Sequence, residues 1–440
     1  HTDLSARGPF GVSGSALLEE LGWRGLIHLR SEGLEERLAA SPIRAYIGFD
    51  ASATSLHVGH LLQVFLLTHL QRAGGRPVVL IGGGTGMIGD PSGKSSERVL
   101  LDADAIERNS AALKSQLERF LDFSPGPTQP KMLNNLDWLG RMSMIDYLRD
   151  IGKFVTVPYM LSKDSVQARL AEGMSFTEFS YQTLQAADFL HLHRHEGVDM
   201  QMGGADQWGN ITSGLELIRR FESRAAAGEE SESHEPTAFG LCSPLLLNRA
   251  GVKMGKSEKG AVFLDASLTS PYDFYQYWIN DEDEVVLDHL RWLTLKSRAE
   301  VEATASENQA APEKRVAQKA VAYDLTARIH GPEEAERQVN VAAAAFATEV
   351  DDPAVREVLY ASVGGFEFGA EAEGWSAIDV AVAASGSSKG EARRLISQGG
   401  FRVNGQQLTD PTAEPPALIG ERYWWVAMGK KRRFVGRRTG

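Results

Sequence analysis

The stretch from Arg44 to Ile81 decides the fold: RAYIGFD (44–50), ASATSLHVGHLLQVFLLTHLQRAGGR (51–76) and PVVLI (77–81). Arg44 to Asp50 reads as a strand leading into a turn at Gly48. Leu56 to Ala73 reads as a helix. Pro77 to Ile81 is a short buried strand, and a glycine-rich loop, Gly82 to Gly89, follows it. Strand, helix and strand at this spacing predict a βαβ unit of a parallel sheet. Ligands of such sheets bind beyond the carboxyl ends of the strands, where both glycine-containing turns would lie.

Outward from this unit, Leu17, Leu18, Leu21, Leu34 and Leu38 give helical spacing across residues 12–40. The middle of the chain is helix-rich up to the acidic, serine-containing run Glu229 to Glu235, which reads as a surface loop. Helical patterns dominate again from Ser270 to His330. Residues 346–374, with scattered glycines and acidic residues, read as a linker before a small final domain. The expected division is therefore 1–235, 236–345, a linker at 346–374, and 375–440.

A chain of 440 residues is too long for one core. Its 42% hydrophobic and 24% charged residues are ordinary for a soluble globular protein. No uninterrupted apolar run has the length of a membrane span. His1 to Phe10 lack the basic head and apolar run of a signal peptide. A single cysteine, Cys242, excludes an internal disulfide framework and a cysteine-rich zinc site. The cytoplasm is the expected compartment. The net charge of −12 argues at first against a nucleic-acid partner, but its distribution argues for one. From Trp375 onward 11 Lys and Arg face 5 Asp and Glu, so an acidic body carries a basic module, unless that module is only a solubilising tail.

Ser55 to His60 (SLHVGH) sits at the start of the expected helix. His57 and His60, three apart, share a face of its first turn, and Gly59 lets a ligand approach the backbone. The positive end of the helix dipole points at the same place, so imidazoles and free N–H groups form a cradle for phosphate. Two such histidines are also common on plain surfaces. A two-histidine metal site lacks a third ligand at helical spacing. Lys253-Met254-Gly255-Lys256-Ser257 is a loop with two cations, a glycine hinge and a hydroxyl. Alone it is a solvated basic turn, and it lacks the glycine-rich lead-in of a Walker loop. Tyr181, Gln185 and Asp188, at i, i+4 and i+7, put a polar stripe on one helix face between Phe179, Leu184 and Phe189. Such a stripe is either a binding face or an ordinary solvated one.

HVGH followed by KMGKS resembles the two signatures of class I aminoacyl-tRNA synthetases, usually written HIGH and KMSKS. Tyr46-Ile47-Gly48-Phe49-Asp50, Gly86 to Lys94 (GMIGDPSGK), Phe179-Ser180-Tyr181 and Gly203 to Asn210 (GGADQWGN) resemble the bacterial tyrosyl-tRNA synthetases in particular. The likeness runs from about residue 17 to the C-terminus. It implies an α/β chain: a Rossmann-like parallel-sheet catalytic domain, an α-helical anticodon-recognition domain and a small α+β RNA-binding domain. It implies activation of L-tyrosine with ATP and transfer to tRNA(Tyr), and a homodimer. Mg²⁺ would accompany ATP without a dedicated protein metal site.

The resemblance also implies roles. His57 and His60 would contact the phosphate and ribose region. Lys253 and Lys256, with Ser257, would close over the pyrophosphate on a mobile loop, and Lys94 and Arg98 would add further mobile cations. Gly48, Asp50, Ser52, Gly59, Gly204, Asp206 and Gln207 would complete the ATP site. Asp90, Tyr181 and Gln185 would hold the substrate ammonium group, and Tyr46 and Asp188 its phenol oxygen. Phenylalanine would leave both of those buried groups unpaired. Lys389, Arg393, Arg394, Lys430, Lys431, Arg432 and Arg433, with Arg437 and Arg438, would meet RNA phosphates. Trp424 and Trp425 read as core rather than stacking platforms. Pro312 to His330 resembles the anticodon-recognition helices.

Three departures stand out. Ala51-Ser52-Ala53-Thr54 replaces the usual Pro-Thr lead-in, Ile47 stands where some relatives have Cys, and Gly255 replaces the first Ser of KMSKS. Two other readings compete: a tryptophanyl-tRNA synthetase relative, and a catalytically silent RNA-binding regulator on a synthetase scaffold. Tyr46 with Asp188 favours a phenol over an indole, and intact His57, His60, Lys253 and Lys256 favour catalysis.

Overall fold

The computed structural model describes residues 14–51, 53–88, 103–163, 166–167, 170, 173–225, 236–257, 260–344, 356–357, 359–360, 365–429 and 432–439. Two compact units form, one within His1–Asp265 and Asp281–Val321, the other within Ala266–Asn280 and Ala322–Gly440.

The first unit is built on six strands: β1 (Leu29–Arg30), β2 (Arg44–Phe49), β3 (Arg76–Ile81), β4 (Lys131–Asn134), β5 (Met200–Gly204) and β6 (Phe239–Ser243). Their order across the sheet is β1-β6-β5-β2-β3-β4. All neighbours are parallel except the edge pair β1–β6. The βαβ unit expected at 44–81 is present, with β2 and β3 in register from Arg44↔Arg76 to Phe49↔Ile81. The strand order reverses between β2 and β5. That reversal opens a crevice at the carboxyl edge, because the connections leave in opposite directions.

The helix between β2 and β3 begins later than expected. Val58–His60 form a 3₁₀ turn, and the α-helix proper is Leu61–Arg72. Nine of its twelve residues are buried, including Leu62, Val64, Phe65, Leu66 and Leu67. A helix apolar on nearly every side belongs inside a protein. Each such side chain contributes about 1.5–3 kcal/mol on burial. The histidine motif is thus anchored by a largely buried helix.

The helix Gly14–Arg24 locks a distant segment onto this unit. Arg24 is 1% exposed. It pairs with Glu20 at 2.7 Å and donates to the carbonyls of Arg291, Thr294 and Lys296 at 2.6, 3.0 and 2.7 Å. The carbonyl of Arg291 in the last turn of the helix Val286–Trp292, and two in the segment beyond it, thereby gain a buried donor.

In the second unit, strands β9 (Gly365–Phe368), β10 (Phe401–Val403), β11 (Gln406–Gln407), β12 (Tyr423–Met428) and β13 (Arg432–Arg438) form a sheet ordered β11-β10-β12-β13-β9, while Lys256–Ser257 (β7) and Gly260–Ala261 (β8) make a hairpin in the first unit. The helix Lys389–Ser397 carries a capping box from Ser388 and Glu391, and β10 follows it. Trp424 stacks on Phe368 at 4.5 Å in one core, and Trp425 lies in a second core with Tyr272, Val341, Leu359, Tyr423 and Val435. Both indoles are core, as expected.

The expected divisions differ from this arrangement in two places. A cut at 235 would separate β6 from its parallel partner β5. The stretch 346–374 includes β9, which pairs with β13. Both strands are short and find their partners far along the chain, so local pattern could not reveal them.

Arg24→Ala should lower stability by about 3–5 kcal/mol, because Glu20 stays buried without its cation. Thermal unfolding measures this; a midpoint within a degree of wild type would contradict the anchoring role.

Candidate active site

Every described residue of the expected tyrosine and ATP sites lies in the first unit. Gly48 is near the end of β2 and Asp50 just beyond it, Gly204 ends β5, and Asp206 and Gln207 follow in a 3₁₀ turn. Asp90, Ser52, Lys94 and Arg98 lie outside the described residues, as do Lys430 and Lys431.

His57 caps the turn Val58–His60. Its Nδ1 accepts from the Gly59 N–H at 3.1 Å, and His60 Nδ1 accepts from the His57 N–H at 3.2 Å. The two rings lie 3.9 Å apart. A Cβ on Gly59 would sit 2.9 Å from His57 Cε1 and 3.0 Å from the Met254 carbonyl. The glycine therefore lets the lysine loop pass directly over the histidine turn. Main-chain bonds fix that seat: Val58 N–H to Val262 O at 2.9 Å, Leu264 N–H to Leu56 O at 2.9 Å, and Met254 N–H to Leu246 O at 2.8 Å.

Gly255 has φ = 132°, a backbone conformation that side-chain-bearing residues rarely adopt. A Cβ there would meet His57 Nδ1 at 3.3 Å. The departure from KMSKS thus has a local cause. Lys253 Nζ pairs with Asp206 Oδ2 at 2.7 Å, joining the lysine loop to the GGAD turn.

The helix Phe176–Glu196 presents Tyr181, Gln185 and Asp188 as the spacing predicts. Tyr181 and Asp188 are buried and Gln185 is half-buried. The stripe is therefore not a solvated face. Asn210 Nδ2 donates to Gln185 Oε1 at 2.9 Å and Gln207 Oε1 at 3.2 Å, and Gln185 Nε2 donates to Gln207 at 3.3 Å. This network ties the helix to the GGADQWGN turn.

Asp188 is 2% exposed. Its Oδ2 accepts from Asn135 Nδ2 and its Oδ1 from Trp138 Nε1, each at 2.8 Å. Burial raises its carboxyl to about 7 against the pull of these two donors, and Asp50 adds to the rise. Tyr46, on β2, is 1% exposed, and its ring lies 5.4 Å from Phe189. Its hydroxyl has no hydrogen-bond partner among the described residues. Burial, then the charge of Asp188, hold that phenol well above its ordinary range. A buried hydroxyl without a partner costs about 1–3 kcal/mol. A ligand hydroxyl placed between Tyr46 and Asp188 would relieve that cost.

Asn135 and Trp138 were missed in the sequence. The signal was available: they directly follow β4, at the same carboxyl edge as the other strands. Asn135 Nδ2 also reaches Thr85 Oγ1 at 3.0 Å, which links the pocket to the glycine loop.

A family profile described as tRNA synthetases class I (W and Y) matches residues 38–347. The chain belongs to that family. A second profile, described as S4 domain, matches residues 378–412 of this class I synthetase. Tyrosine–tRNA ligase 1 of Bacillus subtilis is 43% identical over 95% of the chain and 98% of its own length. Tyrosine–tRNA ligase of Bacillus velezensis is 44% identical over 95% and 99%. Among solved structures, a C-terminally truncated mitochondrial tyrosyl-tRNA synthetase of Aspergillus nidulans superposes with a TM-score of 0.66 at 28% identity, covering 76% of this chain and 94% of that one.

Arg393 and Arg394 within the S4 match are exposed, as are Lys389, which approaches Asp379 at 3.8 Å, and Arg432 beyond the match, whereas Arg433 is half-buried. Arg437 is committed elsewhere: it pairs with Glu357 and Glu367 and lies over the Tyr360 ring. Arg438 pairs with Glu373 at 3.5 Å.

Gly255→Ser should loosen the lysine loop, because the left-handed backbone is strained by about 1–3 kcal/mol for a residue with a side chain. Amide exchange at Met254 and Val262 should accelerate; unchanged protection would show that this conformation does not hold the loop.

Proposed function

We propose that the chain is a tyrosine–tRNA ligase. A carboxylate oxygen of L-tyrosine attacks the α-phosphorus of ATP, the bond to pyrophosphate breaks, and tyrosyl-adenylate forms. The 3′ end of tRNA(Tyr) then takes the tyrosyl group and AMP leaves. The observation that carries this reading is the unpartnered Tyr46 hydroxyl beside the buried carboxylate of Asp188. An indole N–H could satisfy one of these groups, but a phenol hydroxyl can accept from Tyr46 and donate to Asp188 at once. The relatives named tyrosine–tRNA ligase support the same choice over the tryptophan reading and over a silent regulator.

On this reading Asp90, Tyr181 and Gln185 hold the ammonium group. Asp50, Gly204, Asp206 and Gln207 hold the adenosine, with Gly48 and Gly59 leaving room for it. His57, His60, Lys253, Lys256 and Ser257, with Ser52, Lys94 and Arg98, stabilise the phosphate charge that develops during attack. The seat of the lysine loop on the histidine turn supports a shared task for the two motifs. Mg²⁺ enters with ATP and shields its phosphates. Among the described residues no group of three His, Cys, Asp or Glu side chains could hold a metal ion. The S4 match and the exposed Arg393, Arg394 and Arg432 support phosphate contacts with tRNA.

The working form is a homodimer in the cytoplasm. Among the described residues, six of the nine exposed large hydrophobic side chains fall between residues 144 and 176, among them Met144 and Phe176 at 76% exposure and Ile145 at 67%. A second copy of the chain would cover them. No described helix is long and apolar enough to cross a membrane.

Tyrosine-dependent exchange of labelled pyrophosphate into ATP tests the central reaction; exchange with tryptophan alone, or none, would end the reading. Lys256→Ala should lower kcat for this exchange while leaving KM for tyrosine near wild type. Because Asp188 loses its charge as pH falls through about 7, KM for tyrosine should rise about tenfold from pH 8 to pH 6. Asp188→Asn should flatten that profile. Phe176→Asp should shift sedimentation from twice the 48.0 kDa chain mass to a single chain.

A further inference from the structure

Asp188 is pinned by two donors, and one of them needs support. A carboxylate turns about a broad sp³–sp² torsion, so its direction is set by whatever hydrogen-bonds to it. Asn135 and Trp138 each hold one oxygen at 2.8 Å. Trp138 sits in a helix of only four residues, Leu136–Leu139, none of which is buried. The indole packs partly against the core that holds Tyr46 and Phe189, which leaves one of its faces to a further partner. His191 lies against that plane, with ring centroids 4.2 Å apart and an interplanar angle of 11°.

His191 follows Asp188 by three residues on the helix Phe176–Glu196, so both project from the same face. One helix thus grips Trp138 twice, at its edge through the carboxylate and at its face through the imidazole. The neighbouring histidines act differently. His193 is bound to the Val198 carbonyl at 2.9 Å and faces Glu222 at 3.3 Å. His195, exposed, lies 4.6 Å from the outer side of His191. Burial, then His195, hold His191 below the ordinary imidazole range, against the pull of Glu196, so the stack joins two neutral rings near pH 7.

We propose that His191 is a positioning residue for amino-acid selectivity: by clamping Trp138 it keeps the indole N–H on Asp188, and so keeps that carboxylate aimed at the substrate phenol. The proposal rests on the tyrosine reading above. Without the clamp the indole gains freedom, Asp188 keeps only Asn135 as a fixed donor, and the hydroxyl of tyrosine gains less over the bare ring of phenylalanine.

The experiment is pyrophosphate exchange with tyrosine and with phenylalanine on wild type, His191→Ala and His191→Phe, with thermal unfolding of each. His191→Ala should raise KM for tyrosine and reduce the tyrosine preference, each by about tenfold, the scale of one weakened bond to a charged group. Its kcat and its KM for ATP should stay at wild-type values. His191→Phe, which keeps a flat stacking face, should restore the preference. Should His191→Ala not fold, His191→Leu, which keeps bulk without a plane, is read in its place. An unchanged preference in the non-stacking variant, or a loss as large in His191→Phe at wild-type thermal stability, overturns the proposal alone. Wild type without tyrosine-dependent exchange overturns it together with the reading on which it rests.

Discussion

The pairing of β2 with β5, Tyr46 beside Gln201, is the constraint on which the rest of the structure depends. Connections on either side of that pair run in opposite directions, so no helix can cover the carboxyl ends where they part. The histidine turn, the GGADQ turn, the glycine loop and the helix bearing Asp188 all reach this gap from separate elements. Slipping the pair by one residue would turn Tyr46 to the other face of the sheet.

Burial gives the same place its chemistry. A carboxylate and a phenol removed from water are costly, and the protein offsets only part of that cost with Asn135 and Trp138. On the proposed reading, the remainder is met by the ligand's complementary hydroxyl. Selectivity then comes from what the wrong ligand leaves unmet as much as from what the right one gains. Around the histidine turn the logic is different. There His57 and His60 are half-buried, and main-chain bonds tie the histidine turn to Val262 and Leu264, just after the lysine loop.

Much of this was legible in the sequence. The βαβ unit at 44–81 and the polar stripe of Tyr181, Gln185 and Asp188 depend on local periodicity, and both are present. What the sequence concealed is non-local. Nothing near Phe239 says that its strand joins β5, and nothing near Gly365 announces a partner at Val435. Arg437 looked like a phosphate ligand because its local neighbours are basic; Glu357 and Glu367, distant in sequence, claim it. The start of the α-helix was misjudged for a related reason. The histidine turn is a capped 3₁₀ segment with a main-chain bond to distant Val262, and helical spacing alone cannot distinguish it from an α-turn.

The parallel pair of β9 with β13 has a consequence for the order of events in the cell. The strand at 365–368 leaves the ribosome well before the one at 432–438, yet only the latter gives it a partner. Until that later segment is free, β9 is an unpaired edge, and Tyr272 and Val341 lack the cover of Val435. Completion of this sheet during synthesis is therefore a late event, set by translation of the second strand rather than of the first.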